Sequence, residues 1–271
     1  MITVVKRSRP VVGDRSDGSL SRVRILLSPS ETKSVGGSGG PLDLAELSLT
    51  SLTDTRRTVA EALVGMCTAD PVGARAALGL SDGLAEEVEL DARLWTSPTA
   101  PALTRYTGVL YDALDQRTFT SATRSRAESR LWIGSALFGL IAAADPIPHY
   151  RLSAGARLPG LGTLRATWRP SLTEATAHWA GSLVVDLRSG GYRQLGPVPG
   201  AVTVDVVTEY ADGTRKVVSH FSKFHKGLLA RTLATSRAEM DDLAAVLRVA
   251  RRAGHTVERT SESVLTMVTR P

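Results

Sequence analysis

Apolar runs bounded by turn-forming residues alternate with amphipathic stretches along most of this 271-residue chain. The run from Val23 to Ser28 ends at Pro29 and predicts a short, buried central strand. The run from Leu131 to Ile141 contains glycines and is flanked by turns, which favours a second buried strand. A third strand is predicted from Ser182 to Leu187.

The C-terminal part of the chain contains the strongest hairpin signal. Val202 to Thr208 and Lys216 to Phe221 lie on either side of Asp212-Gly213, a dipeptide typical of tight β-hairpin turns. The pattern also predicts a final pair of strands at the end of the chain.

Helical periodicity extends from about Thr53 to Asp115 and again from Leu161 to Ala180. Two more helices are predicted after the hairpin, the first of them basic. Because strands and helices interleave from end to end, we expect one mixed α/β domain over residues 22–271, with a mixed sheet flanked by helices. Residues 1–21 mix polar residues, glycine and proline without periodicity, and they predict a disordered leader.

The composition, with 42% hydrophobic and 22% charged residues, is that of an ordinary globular protein. A formal net charge of +6 favours polyanionic partners, nucleic acid first, although a basic proteome produces the same surplus. The single cysteine, Cys67, excludes an internal disulfide and points to a reducing compartment. Since no apolar run approaches the length of a membrane helix, a cytoplasmic protein is expected, with a monomer favoured.

The histidines do not form a recognisable metal-binding pattern. His220 and His225 are five residues apart and fall off one helix face, and no H-E-x-x-H pair occurs. Neither a metal nor a cofactor is predicted.

The segment Ser219 to Thr235, SHFSKFHKGLLARTLAT, concentrates basic and apolar residues. Wound as a helix, it places Phe221, Phe224 and Leu228 on one side, which predicts their burial. Lys223, Lys226 and Gly227 then lie on the opposite side, where two ammonium groups beside a glycine suit contact with phosphate. Arg231 adds to the same charge. The alternative is a solvated amphipathic helix without a partner.

A second candidate site is the turn Leu158-Pro159-Gly160-Leu161-Gly162. A Pro-Gly-x-Gly turn between two helices exposes backbone N–H groups that can hold a DNA phosphate without reading sequence. This is the layout of a helix-hairpin-helix motif, and charge surrounds it at Arg157, Arg165 and Arg169. A plain surface turn is the alternative.

The third candidate is the segment SPSETK, Ser28 to Lys33, which follows the first predicted strand. Loops at the carboxyl ends of strands form many sites in α/β proteins. Glu31 and Lys33 can act as acid and base there if they share a cleft, and as part of a solvated turn if they do not.

Four different sequence blocks follow one another between about Val23 and Val268. LLSPSETK resembles an opening strand with an S-P-x-K-T loop, and RYTGVLYDALD resembles a Y-x-G-x-x-Y block. The block from Gly134 to Leu158 resembles L-S-G-L-Y-G…P-Y-R-L-E-M-G and matches it at Tyr150 and Arg151. SHFSKFHKGLLAR resembles S-F-x-A-K-x-A-R-G. Together, these blocks are similar to the YaaA family of peroxide stress proteins.

That resemblance implies one α/β domain of unusual topology with a positively charged cleft and a helix-hairpin-helix-like element. It also implies binding of double-stranded DNA and a role in limiting free iron and oxidative damage. The chain departs from the family pattern at Ser153, where the family has glutamate, and at Arg188 to Tyr192, where the family is acidic. The lost carboxylates argue against enzymatic activity.

The leading hypothesis is a sequence-independent protein that binds double-stranded or distorted DNA in the peroxide stress response. Phosphate neutralisation and backbone contacts are assigned to Arg105, Arg151, Arg157, Pro159, Gly160, Gly162, Lys223, Lys226, Gly227 and Arg231, and Tyr106 or Tyr192 to base stacking. The alternative is an enzyme acting on a nucleotide, nucleobase or nucleic acid through Glu31, Lys33 and Lys223. Convergence of these residues in one pocket distinguishes the enzyme from a plain binding protein.

Overall fold

A mixed β-sheet is the centre of the computed structural model, which describes residues 23–217 and 219–270. The predicted leader, residues 1–21, lies outside the described residues. The strands are β1 Val23–Leu27, β2 Ala100–Pro101, β3 Leu131–Ser135, β4 Gly139–Ala142, β5 Pro146–Ile147, β6 Leu183–Asp186, β7 Val202–Glu209, β8 Arg215–Val217, β9 Thr256–Arg259 and β10 Val264–Thr269. The helices are α1 Thr53–Ala69, α2 Pro71–Ala77, α3 Glu86–Ala92, α4 Ala102–Arg105, α5 Val109–Leu114, α6 Ser121–Arg130, α7 Leu164–Ala175, α8 Gly190–Leu195, α9 Ser219–Thr235 and α10 Leu243–Arg252. This is the expected single mixed α/β domain.

Strand β1 lies in the middle of the sheet, as predicted. The strand order is β4-β3-β1-β6-β7-β10-β9, and β8 pairs with the end of β7. Strand β1 is parallel to both β3 and β6, with Ile25 opposite Leu131 on one side and Val185 on the other. Such burial on both faces accounts for its continuous run of apolar residues. Because the chain moves from β1 to β3 on one side and later returns to β6 on the other, the strand order reverses at β1.

The prediction of one strand from Leu131 to Ile141 is wrong in detail, because this segment forms the antiparallel pair β3 and β4. The Ser135 Oγ atom accepts the N–H groups of Leu137 and Phe138, which fixes the tight turn between the two strands. Gly139 follows with a φ of 73°, and a Cβ atom there would lie 2.6 Å from the Trp168 ring. The glycine therefore permits both the reversal and the close packing of α7.

The other predicted strands and the hairpin at Asp212-Gly213 are confirmed, with β8 shorter than expected because α9 begins at Ser219. The helical prediction from Thr53 to Asp115 is also confirmed, and α7 forms within the predicted range of 161–180. No helix in the described ranges is both long and apolar enough to cross a membrane.

Buried arginines connect helices to neighbouring backbone. Arg56 on α1 donates to the carbonyl oxygens of Phe138 and Leu140, across the β3–β4 turn. Arg130 at the end of α6 donates to three carbonyl oxygens beyond the middle of α9, those of Leu233, Ser236 and Ala238. A guanidinium group can satisfy several carbonyls at once, so these side chains join elements that are distant in sequence.

The predicted faces of α9 are wrong in part, since Lys223 is exposed as expected but the two phenylalanines and the Lys226-Gly227 pair are not where they were predicted. Phe221 and Phe224 are 61% and 42% exposed, whereas Lys226 and Gly227 are buried. The inward stripe continues through the apolar residues Leu229, Ala230, Leu233 and Ala234. Gly227 determines this orientation, because it lets α9 lie directly against Leu110 on α5.

The helix-hairpin-helix prediction is not borne out at the turn 158–162. The turn exists, with Leu161 N–H donating to Leu158 O at 3.2 Å and Gly160 at a φ of 73°, and α7 follows it. Residues 148–163, which precede α7, are irregular. Prolines at 146 and 148 disfavour a helix there, so one helix flanks the turn in place of two.

Gly227→Ala is expected to destabilise the fold by about 1–3 kcal/mol, because its new methyl group would overlap Leu110 O and lie 2.8 Å from the Ala113 Cβ atom. The matched control is Gly65→Ala in α1, where a Cβ atom has no neighbour within 4 Å. That change should stabilise the protein by about 0.5–1 kcal/mol. Urea unfolding of both variants measures the contrast, and equal effects would contradict the close approach of α9 to α5.

Candidate functional site

The carboxyl ends of β1, β3 and β6 place three polar residues, Ser28, Ser135 and Asp186, at one buried edge of the sheet. The Ser28 Oγ atom accepts the N–H group of Ser189 at 2.7 Å. Asp186 forms a bidentate ion pair with Arg188, with N–O distances of 2.9 and 2.7 Å. Parallel strands whose order reverses at β1 form a crevice at this edge, which is where α/β proteins bind ligands.

A chain of hydroxyl groups extends from this edge. The Tyr150 hydroxyl lies 2.7 Å from both the Ser135 Oγ atom and the Tyr106 hydroxyl. Burial raises the pKa of both tyrosines well above the usual value, so both stay protonated. Tyr106 is 2% exposed, so its predicted role in base stacking is wrong: no base can reach the ring.

Lys33 lies beside these tyrosines. Its side chain is inside the fold, with the residue 9% exposed, and its backbone pairs with Tyr106 in an isolated β-bridge. The Nζ atom donates to the carbonyl oxygens of Ser30 at 2.9 Å and Glu31 at 3.3 Å. It lies 4.1 Å from the centre of the Tyr150 ring. Burial lowers the pKa of Lys33 to about 7, although the Asp91 carboxylate acts to raise it.

Asp91 on α3 is buried, and of the nearby carboxyl groups it has the largest effect in raising the pKa of Lys33. Its Oδ1 atom accepts the N–H group of Arg151 at 2.8 Å, and its Oδ2 atom has no hydrogen-bond partner. Burial raises the pKa of Asp91 to about 8, against the lowering effects of the Arg151 N–H group and of Lys33. An unpartnered buried carboxyl oxygen is rare in folded proteins and points to a functional site.

Two ion pairs form the outer side of this group. Arg151 pairs with Glu31 at 2.8 Å, and the Nε2 atom of His149 lies 2.8 Å from Glu87. The His149 Nδ1 atom also lies 3.2 Å from the carbonyl oxygen of Ser34, so both ring nitrogens face acceptors. Burial alone would raise the pKa of Glu87, but the hydrogen bond and charge of His149 bring it below its usual value.

These interactions join six residues into a lysine cluster: Glu31, Lys33, Glu87, Asp91, His149 and Arg151. Convergence of Glu31, Lys33 and Lys223 was the feature that would favour an enzyme, and the structure brings Glu31 and Lys33 together with Arg151. It does not bring in Lys223, which is exposed on α9 and has no described contact with the cluster. Glu87, Asp91 and His149 were missed. His149 directly precedes Tyr150 and Arg151 of the family-like block, which could have pointed to it. Glu87 and Asp91 lie on α3, whose many acidic residues predict a solvent-exposed helix.

Arg105 was predicted to contact DNA phosphate, and the structure corrects this because the residue lies inside the protein. The residue is 0% exposed, and its guanidinium group donates to three backbone carbonyls, those of Ser34, Pro98 and Ile147. These bonds satisfy the group inside the protein and join the β1 loop to β5. A phosphate cannot reach it, so Arg105 supports the fold.

The basic residues of α9 have separate environments. Lys223 is exposed, whereas burial and the charge of Arg193 lower the pKa of Lys226 to about 8. Arg231 donates to the carbonyl oxygens of Leu114 and Asp115, both at 2.8 Å, and so holds the end of α5. Gly227 is covered by α5 and cannot contact a partner.

A basic concavity lies between α7 and α8, with a volume of about 270 Å³. Its lining residues are Arg165, Arg169, Gly190, Arg193, Gln194 and Pro197, so it contains three arginines and no carboxylate. Within the described part of the chain, none of the three arginines forms an ion pair. The predicted residues of the preceding turn, Arg157, Pro159, Gly160 and Gly162, are exposed next to it in sequence.

Comparison with known proteins gives a consistent family assignment. The family model described as "Peroxide stress protein YaaA" matches residues 23–259. A UPF0246 protein of Corynebacterium efficiens is 51% identical over 238 residues, covering 86% of this chain and 94% of its own length. A UPF0246 protein of Streptomyces coelicolor is 42% identical over 237 residues, covering 86% of this chain and 91% of its own length.

Asp91→Asn is expected to stabilise the protein, and more so at about pH 8 than at about pH 5. The unfolded chain releases the Asp91 proton near its usual pKa, whereas the folded protein keeps it up to about pH 8. Wild-type stability therefore falls as pH rises through this window, and the asparagine variant avoids that loss. The gain at about pH 8 should exceed the gain at about pH 5 by about 4 kcal/mol.

Urea unfolding across this pH range measures the gain. Asp112→Asn, at an exposed position on α5, is the matched control and should show no comparable trend. A gain at Asp91 that does not change with pH would contradict the raised pKa.

Proposed function

The chain belongs to the peroxide stress protein YaaA family, and from that premise we propose that it binds double-stranded or distorted DNA without sequence preference. The family supports a role in the peroxide stress response. The proposal extends this role to protection of DNA and to limitation of free iron. The iron part rests on the family resemblance alone.

The basic concavity is the observation that carries the proposal. Three guanidinium groups line it without carboxylate partners among the described residues, so their charge is available to an external anion. Guanidinium groups are permanently charged and match phosphate oxygens in pairs. A concave surface lined by one sign of charge also concentrates polyanions near it.

The turn before α7 supports the same proposal. The N–H groups of Gly160 and Gly162 donate to no residue in the described part of the chain, and both glycines are exposed. Backbone N–H groups that point to solvent can hold a phosphate oxygen and fix the register of a duplex without reading its bases. Together with Arg157, the turn extends the concavity into a longer basic surface.

The DNA surface proposed here is therefore smaller than the set of residues predicted from sequence. It comprises Arg157, Arg165, Arg169, Arg193 and the turn 159–162, with Lys223 as an exposed outlying charge. Arg105, Tyr106 and Gly227 are excluded because they are buried. Lys226 and Arg231 are mostly committed to internal contacts.

A second candidate function is favoured by the lysine cluster. The convergence of Glu31, Lys33 and Arg151 at the carboxyl edge of β1 meets part of the condition set for an enzyme acting on a nucleotide, nucleobase or nucleic acid, since Lys223 lies apart from them. Opposite pKa shifts on a neighbouring acid and base are typical of catalytic sites. DNA binding at the basic surface and chemistry at the cluster are compatible.

Fluorescence anisotropy with a labelled duplex at several salt concentrations tests the proposed DNA surface. About five phosphate contacts predict that log K falls with log salt at a slope of about −4 to −5. The double variant Arg165→Gln/Arg169→Gln should bind about tenfold or more weakly and flatten the slope by about two.

The matched control is Arg248→Gln/Arg252→Gln, an exposed arginine pair with the same spacing on α10 and the same loss of charge. A slope near zero for the wild type would refute DNA binding. Equal loss in both double variants would show that net charge, and not this surface, attracts the duplex.

A further inference from the structure

Lys33 is buried without a paired carboxylate. Within the described residues it forms no ion pair, since Glu31 is engaged by Arg151 and Glu87 by His149. Its hydrogen-bond acceptors are two backbone carbonyls, which are neutral. A structural lysine at such a depth is normally matched by a carboxylate in direct contact, because an unpaired buried charge is costly. Burial without a contacting carboxylate therefore favours a neutral amine, against the attraction of the Tyr150 ring, 4.1 Å from Nζ, for a cation.

The geometry suits a neutral amine in another respect. The two carbonyl acceptors, at 2.9 and 3.3 Å from Nζ, account for both hydrogens of an NH₂ group. The nitrogen lone pair is then left unshared. Because an amine lone pair is nucleophilic and an ammonium group is not, this arrangement differs from a phosphate clamp, which requires a permanent positive charge.

Asp91 is the buried carboxyl group whose charge acts most strongly on Lys33, which makes it the candidate acceptor for the proton that Lys33 loses. Its Oδ2 atom is buried and has no donor in the structure, while Oδ1 is held by the Arg151 N–H group. Transfer of one proton from the ammonium group to this carboxylate converts two buried charges into two neutral groups. A low-dielectric interior favours that exchange.

We propose that Lys33 is a nucleophile that condenses with the carbonyl carbon of an aldehyde to form an imine. The Nζ lone pair attacks the carbon, the C–O π electrons move to oxygen, and one N–H proton follows them to give a carbinolamine. The Asp91 carboxyl group then protonates the hydroxyl, the C–O bond breaks and water leaves. The product is a protonated imine facing the Asp91 carboxylate. No electron is transferred to or from another molecule, so no oxidant is required.

Two sources can supply the aldehyde. One is the ring-opened sugar at an abasic site in DNA, and the other is a small metabolite aldehyde. Arg151, which is 17% exposed in its side chain and paired with Glu31, lies at the outer side of the cluster, where a substrate would approach. Reaction with a small aldehyde does not require the DNA surface, so this proposal can be tested separately from DNA binding.

Reductive trapping followed by peptide mass spectrometry tests the proposal. The full chain is incubated with sodium cyanoborohydride and either glycolaldehyde or a duplex containing one abasic site, at about pH 7. Reduction of the imine leaves a stable secondary amine on the lysine that reacted. The sequence contains only five lysines, so each can be followed separately.

Lys33 should be trapped about tenfold or more faster than the exposed Lys216 and Lys223, since an ordinary lysine with a pKa of about 10.4 is almost entirely protonated under these conditions. Trapping by the duplex alone assigns the substrate to DNA, and trapping by glycolaldehyde alone assigns it to a small aldehyde. Trapping of Lys33 no faster than Lys223 with both probes overturns the proposal. This comparison is internal to the wild-type chain, so it does not depend on any variant folding.

Two variants sharpen the result. Lys33→Arg keeps a long basic side chain but cannot form an imine, so the adduct on this peptide should vanish, whereas Lys223→Arg should leave the Lys33 adduct unchanged. The Arg165→Gln/Arg169→Gln variant should bind DNA weakly and still trap glycolaldehyde at Lys33. That outcome separates failure of this proposal from failure of DNA binding.

The pH profile tests the partnership with Asp91. Asp91 and Glu87 on α3 and Glu31 on the β1 loop act to raise the pKa of Lys33, and Arg151 acts to lower it. Asp91→Asn removes the largest of the raising effects, so the trapping profile of Lys33 should move to lower pH while the maximum rate falls. An unchanged profile would show that Asp91 does not share the proton.

Discussion

The parallel pairing of β1 between β3 and β6 is the constraint on which the rest of the structure depends. It brings the ends of three strands, distant in sequence, to one buried edge, where every polar group needs a partner. Ser28 and Ser135 meet that need with backbone N–H and tyrosine hydroxyl groups. The loop after β1 is thereby held against Tyr150, and most of the Lys33 side chain is removed from bulk water.

The basic composition serves two separate purposes. Arg56, Arg105 and Arg130 are buried and donate to backbone carbonyls, so their charge stabilises the packing of helices and loops. Arg165 and Arg169 on α7 remain exposed and lie in a concavity without acids. The formal charge of +6 counts both groups alike, whereas only the second can attract a polyanion. The location of each arginine, buried or exposed, therefore determines its role more than the net charge of the protein does.

Periodicity predicted most of the sheet, because buried parallel strands have continuous apolar runs and the Asp212-Gly213 turn has a strong signature. The inward face of α9 was not predictable in the same way. From the sequence, Lys226 and Gly227 are expected on the solvent-exposed side of the helix, although the lysine is buried and the glycine contacts α5. The burial of Asp91 was not predictable either. Its helix is acidic, and the carboxyl group is removed from water only because distant segments pack over it. Burial against distant segments is the information that local pattern lacks.

The basic concavity and the buried edge of the sheet are electrostatically connected through α9. Arg193 lines the concavity and, after burial, is the main influence that lowers the pKa of Lys226. The negative charges of Asp205 and Asp186 act in the other direction and raise the pKa of Lys226. Asp186 is the last residue of β6 and lies at the same edge of the sheet as Ser28 and Ser135. An anion bound at Arg193 would offset the repulsion and raise the pKa of Lys226.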